Sequence, residues 1–538
     1  MMQLSFSGVS YVHPDGENLF SNISFSLSKK ITALVGNNGS GKSTMFKLIN
    51  NELEPSSGSI IKPGDIYVLP QNLDIYSEFM LKEILGVDKK LTALQKITDG
   101  NSTIKDYEIL DNDWTLENDL KKILEKISFS FDDLDRKLKT FSGGEITKIF
   151  LSSLLTRKPD LVLLDEPTNN LDISSREFLY EFIKSYKGNV FMISHDVELL
   201  NLAQEIIEIH NGQVKTYGGN YDLFFTERKN EKERLEKEFE KNSLNLKQLE
   251  MKKNEKIEKL NKQNNRGKRD GIKAGLPKMV INARKQNSEN NFASKKKESE
   301  QKISLTKEKL NDVKNKLYND RIVKIDMSNN NSVSTKLLAR FENFNPNYGY
   351  DLWTENLDFD LFTNQKILIS GNNGSGKTSL VKSLTTDKIT YSGSIKKYFR
   401  KAALLNQNFL HLDENLTLFE TIRNSCPPTI SEHEIRIRLG RFLFYGDEAF
   451  KKVKHLSGGE KVRISLLKLL MEDHPEILIL DEPTNNLDLL GIDQLITAVK
   501  SFNGCLIVIS HDKYFCKNLT FTHILQINKN SKHKLIII

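Results

Sequence analysis

The chain has 538 residues, and its 78 Lys plus Arg exceed 71 Asp plus Glu to give a net charge of +7. At roughly 100–200 residues per domain this length predicts at least two domains, and 38% hydrophobic with 28% charged residues is the composition of a globular chain. Cys426, Cys505 and Cys516, none in a Cys-x-x-Cys pair, exclude a disulfide framework, a four-cysteine zinc site and a cysteine-ligated iron–sulfur cluster. No apolar run approaches the ~20 residues of a membrane helix, and the N-terminus lacks a secretory pattern. The expected compartment is a reducing cytoplasm.

In chain order, residues 31–35 form an apolar run, predicted as a strand, that leads into Gly36-Asn37-Asn38-Gly39-Ser40-Gly41-Lys42-Ser43. Gly-x-x-x-x-Gly-Lys-[Ser/Thr] after a strand is a phosphate cradle: its glycines let backbone N–H groups close around phosphate oxygens at a helix N-terminus. Lys42 is expected on the β- and γ-phosphates and Ser43 on Mg²⁺. Strand-like residues 66–69 precede Gln71. Ser142-Gly143-Gly144-Glu145 opens a helical stretch at 146–155, and a Ser cap followed by two glycines is a second anion-binding helix start. The run 161–164 ends in Asp165-Glu166-Pro167-Thr168-Asn169-Asn170-Leu171-Asp172. Asp165, ending a buried strand, suits the Mg²⁺ side, and Glu166 beside it suits an attacking water. The run 190–193 is followed by Ser194-His195-Asp196, and His195 is expected at the γ-phosphate.

The middle has a different texture. Residues 227–320 hold 27 Lys plus Arg against 16 Asp plus Glu, which exceeds the whole chain's net positive charge. Leu235, Phe239, Leu246, Leu249 and Leu260, and later Ile303, Leu310, Val313 and Leu317, follow loose heptads. That pattern predicts an antiparallel coiled-coil hairpin, with its joint at 264–280, where Gly267, Gly271, Gly275 and Pro277 interrupt the periodicity. Around the joint, residues 261–285 carry Lys262, Arg266, Lys268, Arg269, Lys273, Lys278, Arg284 and Lys285 against one acid, Asp270. A basic tip of this kind suits phosphate-rich RNA.

After the middle, every motif returns. Residues 371–378 repeat the phosphate loop, ending in Lys377-Thr378, and Gln407 follows strand-like 402–405. Ser457-Gly458-Gly459-Glu460, the acidic segment 481–488 and Ser510-His511-Asp512 complete the second copy. The first copy is longer by about 20 residues, all between Gln71 and Ser142. Short apolar runs alternating with helical stretches predict α/β domains, each with a parallel sheet covered on both faces.

These residues resemble the nucleotide-binding domains of ATP-binding-cassette (ABC) proteins, over nearly all of the chain except its middle. The resemblance implies two tandem ABC-type nucleotide-binding domains, 1–222 and 323–538, with a small insertion within 72–140, joined by an α-helical coiled-coil hairpin linker at 223–322. In that family two domains stack head to tail, and each ATP lies between one phosphate loop and the other domain's signature serine. One site would combine Gly36, Asn37, Asn38, Gly39, Ser40, Gly41, Lys42, Ser43, Thr44, Gln71, Asp165, Glu166 and His195 with Ser457, Gly458, Gly459 and Glu460. The other would combine Gly371, Asn372, Asn373, Gly374, Ser375, Gly376, Lys377, Thr378, Ser379, Gln407, Asp481, Glu482 and His511 with Ser142, Gly143, Gly144 and Glu145. Glu166, Glu482, His195 and His511 are the implied catalytic groups, and Ser43, Asp165, Thr378 and Asp481 the implied Mg²⁺ ligands. Asp172 and Asp488 match the family's loop between the two sites. Tyr11 is expected to stack on adenine, while Tyr348 and Tyr350 compete for that place in the second half. Phe141 replaces the usual Leu before the signature, and Glu145 and Glu460 stand where many transporters have Gln.

Twin cassettes on one chain, a charged helical linker and Asp-Glu-Pro-Thr-Asn-Asn-Leu-Asp further resemble the ABC-F family. The long linker and small insertion resemble its antibiotic-resistance, ribosome-protection branch. The resemblance implies a cytoplasmic, monomeric, Mg²⁺-dependent ATPase that enters the exit site of the bacterial ribosome. It would there reach the peptidyl-transferase region, large-subunit rRNA and P-site tRNA. The alternatives are a housekeeping ABC-F translation factor that relieves stalled ribosomes, and the ATPase subunit of a membrane exporter.

Overall fold

The computed structural model describes residues 4–538 except 15, 17, 71–72, 170, 211, 274–296, 298–299, 312, 314–334, 387, 406–411, 472–474, 486 and 501, and describes only the backbone at 74, 256–257 and 260–273. The chain divides into one unit of Met1–Phe224 with Ile322–Ile538, and a second of Phe225–Arg321.

The first unit contains both α/β heads. In the first head a six-stranded sheet runs in the order Ile66–Leu69, Leu161–Asp165, Asn189–Ile193, Ile31–Gly36, Glu205–His210, Gln213–Gly218. All neighbours are parallel except the last pair. The second head repeats the order with Ala402–Leu405, Ile477–Asp481, Cys505–Ile509, Lys366–Ser370, His523–Gln526 and Lys534–Ile537. Strand residues alternate between two cores, as a pleated strand buried on both faces requires. Val162 and Leu164 pack among the helices Gly143–Arg157 and Ile173–Ser185. Leu161 and Leu163 face helix Lys42–Ile49 and a three-stranded antiparallel sheet of Asn18–Ser26, Ser5–Val12 and Ser57–Ile61. The predicted parallel strands are all present, while these antiparallel sheets, one in each head, lay outside the sequence reading.

The extra residues of the first head form a helix pair, Asp88–Thr98 and Ile104–Leu110, ahead of helix Leu116–Lys126. Lys90 pairs with Asp113 at 3.0 Å, and Asp106 accepts from the Thr103 N–H and hydroxyl at 2.7 Å. In the second head, helix Leu418–Arg423 leads to Glu432–Arg441 with no such pair between them.

The second unit begins inside a 53-residue helix, Tyr221–Lys273, about 80 Å long at 1.5 Å per residue. Its half-buried positions Leu235, Phe239, Asn242, Leu246, Leu249 and Lys253 recur at alternating spacings of four and three. The helical stretch 300–311 presents Ile303, Thr306 and Leu310 in the same rhythm. Lys253 pairs with Glu300 at 3.0 Å and Glu250 with Lys307 at 3.2 Å, which fixes the antiparallel sense. The expected joint needs one correction: the first helix continues through Asn264, Gly267 and Gly271 to Lys273. Each glycine costs about 1 kcal/mol relative to alanine, too little to end a helix flanked by Lys, Arg, Asn and Gln with no proline before 277. Lys278, Arg284 and Lys285 lie outside the described residues, and Lys262, Arg266, Lys268, Arg269 and Lys273 fall where the backbone alone is described.

Phe191 is fully buried, with its ring centroid 5.2 Å from Phe46 and 6.5 Å from Phe25. Phe191→Ala is expected to destabilise the first head by about 3–5 kcal/mol. Of the two tryptophans, Trp114 reports on the first head and Trp353 on the second; denaturant unfolding followed by fluorescence should move the Trp114 transition and leave that of Trp353 nearly in place.

Candidate functional site

Each phosphate loop leaves the carboxyl end of a central strand and turns into a helix, Lys42–Ile49 or Lys377–Thr385. The turn needs left-handed backbone, supplied by Gly39 (φ 82°) and Gly41 (φ 98°), and by Gly374 (φ 74°) and Gly376 (φ 95°). A Cβ on Gly41 would lie 2.8 Å from Leu19, and one on Gly376 2.7 Å from Leu352. Glycine takes this backbone conformation without strain. Lys42 Nζ donates to Gly36 O and Asn37 O at 2.7 and 3.1 Å, and Lys377 Nζ to Gly371 O and Asn372 O at 2.6 and 3.0 Å. Burial lowers both ammonium pKa values, opposed by Glu166, Asp488 and Asp165 around Lys42 and by Glu482, Asp172 and Asp481 around Lys377.

The acidic pairs sit where the sheet ends. Asp165 accepts from the Ser43 hydroxyl, and Thr378 Oγ1 donates to Asp481 Oδ2 at 3.1 Å. Each pair offers hard oxygen donors, one carboxylate and one hydroxyl, the kind of site that binds Mg²⁺ together with phosphate oxygens. Glu166 and Glu482 both adopt the left-handed region, at φ 48° and 46°, which costs a non-glycine residue about 1–3 kcal/mol. Their N–H groups donate at 2.9 Å to Ile193 O and Ile509 O of the neighbouring strand, which holds the kink. The kink keeps each side chain beside a histidine: His195 Nε2 lies 3.3 Å from Glu166 Oε1, and His511 Nε2 3.4 Å from Glu482 Oε1. Burial raises the Glu166 pKa to about 8 and that of Glu482 to about 7. It also pushes His195 well below its usual value and His511 down to about 4, so both imidazoles are neutral at pH 7.

Eight buried side-chain polar atoms among the described residues have no hydrogen-bond partner, and six belong to these two places: Ser40 Oγ, Glu166 Oε1, His195 Nδ1, Ser375 Oγ, and both ring nitrogens of His511. Unpaired buried polar atoms are costly, and their concentration around two glycine cradles fits sites shaped for a polar, phosphate-bearing ligand.

Both sites are composite. The first is a cavity of about 1170 Å³, lined by the first head's phosphate loop, Asp165, Glu166 and His195, and across from them by Lys454, His455, Leu456, Ser457 and Gly458 of the second head. The other, about 660 Å³, is lined by the second loop, Asp481, Glu482 and His511, and by Leu171 and Arg176 of the first head. Reciprocal bonds lock the arrangement: the Asn38 N–H donates to Asp488 Oδ2 at 2.9 Å, and the Asn373 N–H to the Asp172 carboxylate.

Several expectations need correction. Tyr11, expected at the adenine, is 7% exposed and packs in the core against Phe20. His13 lines the first cavity instead. Of the two competing tyrosines, Tyr348 lines the second cavity and bonds Ser379 Oγ at 2.7 Å, while Tyr350 does not line it. His13 and Tyr348 stand equally far ahead of Gly36 and Gly371, a spacing that would have selected both. Glu145 and Glu460 are caps: Glu145 accepts from the Ser142 N–H and hydroxyl at 2.7 and 2.8 Å, and Glu460 from the Ser457 N–H at 2.8 Å and from Lys451 at 3.2 Å. Neither lines either of these two cavities, and residues 142–145 do not line the second one. Gln71 and Gln407 lie outside the described residues. Arg176 carries no motif and was missed.

The family described as ABC transporter matches residues 20–169 and 354–485, and a second family of the same description matches 207–270. The chain belongs to the ABC family. It is 30% identical over 530 residues to the putative ATP-binding protein YdiF of Bacillus subtilis, covering 93% of this chain and 76% of that one. It is 29% identical over 505 residues to the ATP-binding protein Uup of Buchnera aphidicola, covering 91% and 75%. The archaeal ribosome recycling factor aABCE1 shares the fold, with a TM-score of 0.55 at 17% identity, covering 98% of this chain and 89% of that chain. The protein is thus an ATPase with two tandem ABC heads.

A carboxyl group that takes a proton from water must first be ionised. Because burial lifts Glu166 to about 8 and Glu482 to about 7, kcat/KM for ATP should rise with pH through 7 to 8 and level off above. A steady-state profile from pH 6 to 9 measures this, and a flat profile would contradict it.

Proposed function

We propose that this ABC ATPase is of the ABC-F type and works on the bacterial ribosome, entering its exit site and protecting the large subunit from antibiotics. The observation that carries the reading is the combination, on one chain, of two ATP sites each completed by the opposite head with a long coiled-coil hairpin rich in basic residues. Such a chain closes on ATP without a partner subunit, and the hairpin is the element left to contact an external target. The charge of 261–285 suits rRNA and tRNA phosphates. No helix among the described residues is long and apolar enough to cross a membrane. The shared fold with a protein titled a ribosome recycling factor is in keeping with a ribosomal target.

In the proposed cycle the loop N–H groups and Lys42 or Lys377 bind the phosphates, the lysines exchanging loop carbonyls for phosphate oxygens. Ser43 with Asp165, and Thr378 with Asp481, would hold Mg²⁺, which neutralises phosphate charge. Ser457 and Gly458 cover the first nucleotide from the opposite head. Glu166 and Glu482 orient water and accept its proton, and the neutral His195 and His511 face the γ-phosphate. ATP bridges the heads, and its hydrolysis removes the bridge and releases the ribosome.

Replacing Glu166 and Glu482 together by Gln should reduce turnover by at least about 100-fold and trap the protein on ribosomes. In sucrose-gradient sedimentation with ATP, absence of the double variant from the ribosome fractions would sink the ribosomal reading. Expression of the wild type in a sensitive bacterium should raise resistance to one or more of phenicols, lincosamides, pleuromutilins, streptogramins and oxazolidinones. Ribosome binding with an unchanged panel would assign the protein to housekeeping translation, the reading that the same catalytic motifs equally support.

A further inference from the structure

The two heads are near copies, yet among the differences between their ATP sites one is a buried charged side chain with no equivalent in the other head. Arg176 lies in the first turn of helix Ile173–Ser185, whose N-cap is Asp172. In the second head the same place after Asp488 is held by Ile492, which is 2% exposed in an apolar core. Arg176 is itself 9% exposed. Its Nε donates to Leu171 O at 3.2 Å, and its Nη1 donates to Asp196 Oδ2 at 3.0 Å and to His511 O, in the other head, at 3.3 Å. The Tyr180 hydroxyl donates to the same Asp196 oxygen at 2.7 Å, and the Leu199 N–H to Asp196 Oδ1 at 3.0 Å.

The guanidinium is therefore fixed from within the first head and reaches the backbone of the histidine in the second ATP site. It also lines that cavity with Glu482 and His511. Its charge faces Glu482, His511 and Asp512 from across the interface, lowering the pKa of each against the opposing effect of burial on the two carboxyls. Isoleucine donates no hydrogen bond and carries no charge. His195, at the first site, therefore receives no such contact from Ile492.

We propose that Arg176 is a positioning residue acting across the head interface: it holds His511, and with it Glu482, in place for hydrolysis at the second site, and so makes that site depend on the first head's Asp196 in a way the first site does not depend on the second head. The two ATP sites then turn over unequally. The inference rests on the ATPase assignment and not on the ribosomal reading.

The test isolates each site in the full chain. Glu166→Gln leaves hydrolysis to the second site, and Glu482→Gln leaves it to the first. Adding Arg176→Met is expected to lower kcat at least about tenfold more in the Glu166→Gln protein than in the Glu482→Gln protein, with KM for ATP changed far less than kcat, since a small misplacement of reacting groups is enough for such a loss. Arg176→Lys keeps the charge and one donor and should recover part of the lost kcat in the Glu166→Gln protein, at an unchanged thermal midpoint. Equal losses in the two backgrounds would mean a general structural role and overturn the proposal. So would a loss confined to KM, undiminished kcat in the Glu166→Gln protein, or no recovery with lysine.

Discussion

Neither head of this protein owns a complete ATP site. The phosphate loop of each is bonded by the aspartate loop of the other, Asn38 N–H to Asp488 and Asn373 N–H to Asp172. Each cavity is then closed by side chains from across the interface. Charge-assisted hydrogen bonds of this kind are directional, so the same carboxylates that orient the heads also set where the catalytic groups lie. Association of the heads and assembly of the active sites are one event.

Strain and burial are concentrated at the same places. Glu166 and Glu482 take the left-handed conformation immediately after a buried strand, held by bonds to Ile193 and Ile509. Their carboxyls are pushed towards neutral pKa values, and most of the unpaired buried polar atoms among the described residues lie at these two sites. Strained backbone of this kind persists where the surrounding structure determines it, and here the bonds to the neighbouring strands do so.

The near-symmetry of the heads makes their differences informative. The helix pair at 88–110 enlarges the first head alone. Arg176 reaches across the interface to the backbone of His511, while Ile492, at the same place in the second head, is buried in an apolar core and can make no such bond. The charge of the chain is unequally spread as well: the segment 227–320 carries more than the entire net positive charge, leaving the heads mildly acidic.

The sequence by itself determined the duplication, the parallel strands, the phosphate loops with their lysines, and the acids that end the central strands, because each is written locally in glycine spacing or in short apolar runs. It also fixed the heptad stripes of the hairpin, though not the length of its first helix, since glycine penalties are small beside the gain from continuing a helix. Only the tertiary structure decided the rest. Tyr11 still lies inside strand Ser5–Val12 and packs against Phe20, while His13, two residues on, has left the strand and lines the cavity; the spacing it shares with Tyr348 becomes a signal only once folding shows that both line the sites. The capping role of Glu145 and Glu460 is by contrast local, since Ser-x-x-Glu is itself a capping-box pattern that the reading of these residues as ligands passed over. Arg176 gained its place at the second site through a contact with His511, more than 300 residues away in sequence, and no local pattern encodes a partner that only folding brings near.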